Sequence, residues 1–179
     1  MKSYKLIVVI DYSKTNFKCI ENTKKDLIEK EVYSMIVINE TKLKQIKRKF
    51  PNLKHVRELG SKKRINYLIK FSENFDTQFF ECVVCSLSLE ELLLIFKNKL
   101  YNKNIKILVL DDHVFKKSNK YFKNKEKKIK IIKEGNVRDP KLKNLCLIAD
   151  GLANLYRRRK EIFRDKEKIK KLENKISKV

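Results

Sequence analysis

Apolar residues along this chain follow two rhythms: short runs that read as strands, and three-to-four spacings that read as helices. Leu6–Ile10 is an unbroken apolar run that ends on Asp11, within "KLIVVIDYS" (5–13), and predicts the first strand. After a short turn, "TNFKCIENT" (15–23) is placed to pair with it as a hairpin, and "EVYSMIVINE" (31–40) predicts a third strand. "TKLKQIKRKF" sets Leu43, Ile46 and Phe50 at helical spacing and stops at Pro51. Ser61 stands where a cap belongs for a helix with Ile65, Leu68 and Ile69 on its face. "TQFFECVVCSL" (77–87) predicts a fourth strand. Ser88 then caps "LEELLLIFKNKLY", whose first turn holds Glu90 and Glu91, where the helix dipole favours acids.

"NIKILVLDDHVF" (104–115) is the fifth strand; its run "ILVL" lacks alternation and predicts a central strand buried on both faces. "KKIKIIKE" (127–134) is a short, lysine-rich edge strand. Asp139-Pro140 opens a helix with Leu142, Leu145, Cys146, Ala149, Leu152, Ala153 and Tyr156 on one face. Beyond it, Ile162, Ile169, Leu172, Ile176 and Val179 form a thin seam, which predicts a projecting helix that packs on a partner or on itself. The order predicts an α/β fold: a mixed five- to six-stranded sheet flanked by helices, with a long basic C-terminal helix. One domain spans 1–159 and a charged helical extension spans 160–179.

Charge changes this picture most. The chain of 179 residues has 45 Lys and Arg against 22 Asp and Glu, a net charge of +23. The excess concentrates in 42–64, 116–133 and 157–178, leaving the rest nearly neutral. Localised positive charge is the footprint of a polyanion binder, so nucleic acid, RNA before DNA, is the expected partner. Lys47, Arg48, Lys54, Arg57, Lys62, Lys63, Arg64, Lys116, Lys117, Lys120, Arg157, Arg158 and Arg159 are the candidate phosphate contacts. No apolar run approaches the ~20 residues that span a bilayer, so no membrane and a cytoplasmic location are expected. Cys82 and Cys85 form a C-x-x-C inside a predicted strand, where positions three apart face opposite sides and cannot share a metal. No phosphate-cradling glycine loop and no nucleophile elbow is present.

The candidate chemistry lies in the carboxylates. Asp11 ends the first strand, Asp111 and Asp112 end the central one, and Asp150 sits beside Cys146 at the edge of the apolar helix face. Gly151 next to it allows close backbone approach. Carboxylates converging at strand ends hold Mg²⁺ or Mn²⁺ for phosphodiester hydrolysis. Taken separately, the same residues serve as turn, cap and half-exposed helix positions. His113, after the Asp pair, is either a proton shuttle or a loop histidine.

These motifs resemble the RNase H-like fold, and within it a large family of RNase H-like proteins of unknown function. "IDYS" (10–13) is similar to that family's first strand ending Asp-Glu-Ser, and "LKHVRELGSKKR" (53–64) to its mid-chain basic segment before a helix. "ILVLDD" (107–112) is similar to its strand ending in Asp, and "LIADGLANLYRR" (147–158) to its last-helix Gln-x-Ala-Asp-x-x-Ala. The resemblance covers residues 5 to 159. It implies a metal-dependent nuclease with Asp11, Asp111 or Asp112, and Asp150 as ligands. Tyr12 stands where the family has Glu and Leu147 where it has Gln; Glu58 or Glu40 is the candidate substitute acid. Three readings follow: a Mg²⁺- or Mn²⁺-dependent nuclease, a non-catalytic RNA-binding protein with the ribosome as one candidate partner, and an interaction protein using 162–179.

Overall fold

The computed structural model describes residues 4–15, 26–100, 102–122 and 129–176. The expected strand at 15–23 therefore lies almost wholly outside the described residues, as do Tyr101, Val179 and lysines 123–128. Within them, five strands form one mixed sheet in the order β3-β2-β1-β4-β5. β1 (Leu6–Lys14) is central. It pairs antiparallel with β2 (Glu31–Asn39) along its full length, from Leu6 opposite Asn39 to Lys14 opposite Glu31. β3 (Cys82–Ser86) extends this meander, while β4 (Ile105–Leu110) and β5 (Lys130–Lys133) run parallel to β1.

Helices cover both faces, which is why the central strands lack alternation. One face is closed by α1 (Ile46–Lys49), α2 (Ser61–Asn74) and above all α5 (Pro140–Arg157). Ile7, Val9, Ile36, Val83 and Val109 point into that layer. The opposite face takes α3 (Leu89–Ile95) and α4 (Asp112–Phe122), over Val8, Ile10, Met35 and Leu108. Cys82 and Cys85 fall on opposite faces of β3, in the two separate clusters. Burial pushes the Cys82 thiol up to about 11 and Cys85 well up too, so neither is a ready thiolate.

Local signals explain most boundaries. Asp139 Oδ1 accepts from the Lys141 N–H at 2.7 Å, with Pro140 in the first turn of α5. Ser88 Oγ accepts from the Glu91 N–H at 3.3 Å and caps α3. Gly151 lets α2 touch α5: a methyl group there would stand 3.0 Å from the Phe71 ring. Other boundaries moved. The helix expected from 41 opens as a 3₁₀ turn over Glu40–Gln45, and the strand expected from 77 begins only at Cys82. The strand expected over 104–115 stops at Leu110, because Asp111 turns the chain into α4, whose buried stripe is Val114, Ser118 and Phe122. That i, i+4, i+8 stripe has a serine at its centre and lysines around it, which dilutes its signal.

The C-terminal segment does not project. After α5 the chain makes a short α6 (Arg159–Ile162), breaks, and folds back as α7 (Lys166–Ile176) against β3. Leu172 and Ile176 of the thin seam are buried in the α5-side core. Arg159 ties the return by bonding Glu173 at 2.6 Å and Glu29 at 3.2 Å. Among the described residues, no helix is long and apolar enough to cross a membrane.

This packing makes a testable prediction. Leu172→Ala lowers unfolding stability by about 2–3 kcal/mol, the cost of a buried leucine, in urea denaturation. A helix free in solvent would lose only a few tenths.

Candidate functional site

The parallel register assembles the site. Ile10 of β1 lies beside Leu110 of β4, and Leu110 beside Lys133 of β5. One step further along these strands stand Asp11, Asp111 and Glu134. Side chains two apart share a face. Val9, Val109 and Ile132 therefore send the three acids to the α5 side of the sheet. There, one carboxylate oxygen from each lies within 4.8 Å of the other two.

α5 brings the fourth acid. Ser34 of β2, opposite Asp11, donates its hydroxyl to the Ala149 carbonyl at 3.0 Å. The next residue, Asp150, lines a cavity of about 260 Å³ together with Asp11, Asp111 and Glu134. Its oxygens are already engaged. Oδ2 accepts from the Val56 N–H at 2.9 Å and meets His55 Nδ1 at 3.2 Å, while Oδ1 accepts from Asn154 Nδ2 at 2.8 Å. Asp150 thus anchors the 55–56 loop to α5.

The same cavity is lined by basic residues: Arg57, Arg64 and Arg157, and Lys14, whose ammonium lies 4.0 Å from Glu31. Arg64 is held in place by donating to the carbonyls of Val56 at 3.2 Å and Leu59 at 2.8 Å. A second cavity, of about 410 Å³, shares His55, Arg57, Asp111 and Glu134 and continues to Arg138 and Lys143. The cleft therefore sets carboxylates and guanidinium groups around one space.

Asp11 bears the electrostatic strain. It is 5% exposed, and its Oδ2 is buried without a hydrogen-bond partner among the described residues. Burial raises its carboxyl well above the ordinary range, and the charges of Asp150, Glu134 and Asp111 raise it further. Burial likewise raises Glu134, with the Asp111 charge adding to it. His55 is pushed up by its bond to Asp150, against the opposing effect of burial. Three oxygen donors, one buried and unpartnered, crowded by like charge: this arrangement can hold a cation, which would relieve the repulsion.

The structure thus brings together Asp11, Asp111 and Asp150 as the sequence suggests, and adds Glu134. Glu134 ends a strand as the other acids do, but the strand is short and lysine-flanked, so its terminal acid looks like part of a charged turn. Asp112 is exposed at the start of α4 and borders only the second cavity. Glu58 is exposed in a 3₁₀ turn and lines neither cavity, and Glu40 bonds Lys106 at 2.6 Å by the start of β1. Tyr12 packs into the opposite core, stacked on His113 with ring centroids 4.1 Å apart, and donates to Glu31 at 3.1 Å. Alternation points the side chain at position 12 away from Asp11, so Tyr12 removes no carboxylate from this cluster. His113 Nε2 is buried, and burial lowers its basicity.

The basic candidates divide. Lys47 and Arg48 on α1, Lys54 and Arg57 in the following loop, and Lys62 and Lys63 on α2 are exposed on the α5 side of the sheet. Lys116, Lys117 and Lys120 are exposed on α4, in the opposite layer. Arg157, Arg158 and Arg159 instead serve the chain's own groups. Arg157 is 5% exposed and donates to Ser13 Oγ at 2.9 Å, Asn154 Oδ1 at 2.8 Å and Thr15 Oγ1. Desolvation lowers it to about 10. Arg158 pairs with Glu161, and Arg159 with Glu173 and Glu29. No protein-family model and no curated protein matches the chain.

The raised Asp11 carboxyl fixes a pH dependence. Its folded value lies above its unfolded one, so ionisation penalises the folded state. Asp11's contribution to stability falls as pH rises from the ordinary carboxylate range through the raised value, and stays low above it. Asp11→Asn removes the penalty and supplies an amide donor to its neighbours. It should stabilise the metal-free protein at pH 7 by on the order of 1–3 kcal/mol, the cost of an unsatisfied buried group. It should also flatten the pH profile in that window. Denaturant titrations from pH 4 to 8 check both outcomes; equal stabilities across that range would mean Asp11 carries no strain.

Proposed function

We propose that this protein is a Mg²⁺- or Mn²⁺-dependent phosphodiester hydrolase acting on nucleic acid, RNA before DNA, of the RNase H-like kind its motifs resemble. The observation that supports this reading best is the convergence of Asp11, Asp111 and Glu134 within 4.8 Å in a cavity also lined by basic residues. All three donors are carboxylate oxygens, which suit hard divalent cations. A divalent ion held there would activate water and stabilise the leaving oxygen. The chain's own groups do the rest. Arg57 and Arg64 line the cavity and neutralise non-bridging phosphate oxygens. His55, with Nδ1 turned to Asp150, keeps Nε2 for proton exchange with the leaving group. The exposed lysines of α1 and α2 hold flanking phosphates.

A second reading has its own observation. Asp150, the fourth carboxylate, is engaged by Val56, His55 and Asn154, which favours a structural role for it. A site reduced to three acids suits a nuclease-derived protein that binds RNA without cutting it.

One assay separates the two. Single-stranded RNA, duplex RNA, an RNA–DNA hybrid and DNA are incubated with wild type and Asp11→Asn, in Mn²⁺ or EDTA. The hydrolase reading expects cleavage that needs both Mn²⁺ and Asp11, falling at least about a thousandfold in the variant, with binding kept. Binding without cleavage of any of the four would favour the second reading. Cleavage surviving EDTA and Asp11→Asn would sink the metal mechanism.

Salt gives a separate check on the partner. Neutralising on the order of 6 phosphates costs about a thousandfold in affinity between 50 and 200 mM salt. Salt-insensitive binding in fluorescence anisotropy would remove nucleic acid as the partner.

A further inference from the structure

A pocket of about 320 Å³ opens between the chain after α1 and the flank of α2, and the hydrolase reading leaves it unused. Its lining is aromatic and aliphatic: Leu53 and Tyr67 are half-buried, over Phe50 and Phe71, which are 5% and 6% exposed. Tyr67 and Phe71 lie nearly parallel, 29° apart with centroids at 6.1 Å. The rim is polar and cationic, with Asn52, Lys70 and Lys49 exposed. Lys49 is paired with Asp76 at 3.1 Å, and Lys70 is the rim's other exposed cation. Tyr67 is anchored, because its hydroxyl oxygen accepts from the Lys54 N–H at 3.2 Å.

Two chain segments join this pocket to the carboxylate cleft. Leu53 lines the pocket and His55, two residues on, lines the cleft, so their Cα atoms are at most about 7 Å apart. On α2, Arg64 faces the cleft while Tyr67 and Phe71 face the pocket, at i, i+3 and i+7 of one stripe. At 1.5 Å per residue the pocket begins roughly 5 Å along the helix from Arg64. A strand whose phosphate lies in the cleft has a neighbouring base within reach of the pocket.

We infer that this pocket is a nucleobase subsite, holding one unpaired base against Tyr67 while Lys70 meets the adjoining phosphate. An apolar, aromatic lining under a cationic rim complements a base on its phosphate chain. The surrounding segment 42–64, with 10 Lys and Arg against a single Glu, has the sign a polyanion requires. Stacking accepts any base, because every base has a π face. The site therefore selects single-stranded or frayed substrate over fully paired duplex. This rests on nucleic acid being the substrate, but not on metal or cleavage.

The test is binding in EDTA, which leaves the metal question aside. Full-length protein is titrated with a labelled single-stranded RNA octamer and with an octamer whose sugars lack bases. The base-bearing strand should bind roughly tenfold tighter or more. Tyr67→Leu keeps an apolar side chain, though without the hydroxyl that binds the Lys54 N–H, and removes the aromatic face; it should cut that preference several-fold while leaving abasic affinity unchanged. A second measurement uses the unaltered chain: a photoreactive base within the octamer should crosslink to peptides containing Tyr67–Phe71 or Phe50–Leu53. Equal affinity for the two octamers, an undiminished preference in folded Tyr67→Leu, or crosslinks only outside these peptides would overturn the inference. Loss of cleavage in Asp11→Asn with base preference intact would separate this subsite from the chemistry beside it.

Discussion

The parallel pairing of β1 with β4, and of β4 with β5, is the constraint on which this molecule turns. Hydrophobic burial fixes the register, since a slip of one residue would send each strand's apolar set to the wrong face. Once Val9, Val109 and Ile132 are committed to the layer under α5, the acids two positions later have no choice. They are driven into one another by a core that gains more from its apolar residues than it loses to three crowded carboxylates. The site is strained because the sheet is stable.

α5 answers that strain on its polar edge. Ser34 reaches the helix backbone at Ala149, Asn154 bonds Asp150, and Arg157 gathers Ser13, Thr15 and Asn154. This line of polar contacts runs beside a face of Leu145, Ala149 and Leu152 that is wholly buried. A helix so placed does two jobs at once. Its apolar side seals the sheet, and its polar side orders one end of the cleft, including the 55–56 loop through Asp150.

Much of this was legible beforehand, for identifiable reasons. Asp11 and Asp111 could be read because each closes an unbroken apolar run, and Asp150 because its helical angle sits at the edge of an apolar face. Glu134 was passed over although its strand was read to end there, because among so many lysines its acid looks like a local charge partner. The charge of Arg157 and Arg159 was plain, but charge says nothing of burial; their serine, asparagine and glutamate partners come from segments far along the chain. α4, the helix between β4 and β5, was hidden by a serine in its buried stripe. For the two arginines a local pattern was overruled by contacts distant in sequence; for Glu134 and α4 the local pattern itself was diluted.

The return of α7 has a consequence for how the chain is made. β3 turns Val83 and Cys85 toward the layer that Leu172 and Ile176 help to close. That strand leaves the ribosome well before α7 does. For the interval between, part of its apolar face has no cover of its own, and a nascent chain in that condition is open to wrong partners and to chaperones. The cell thus meets an unfinished surface on β3 that the mature protein never displays.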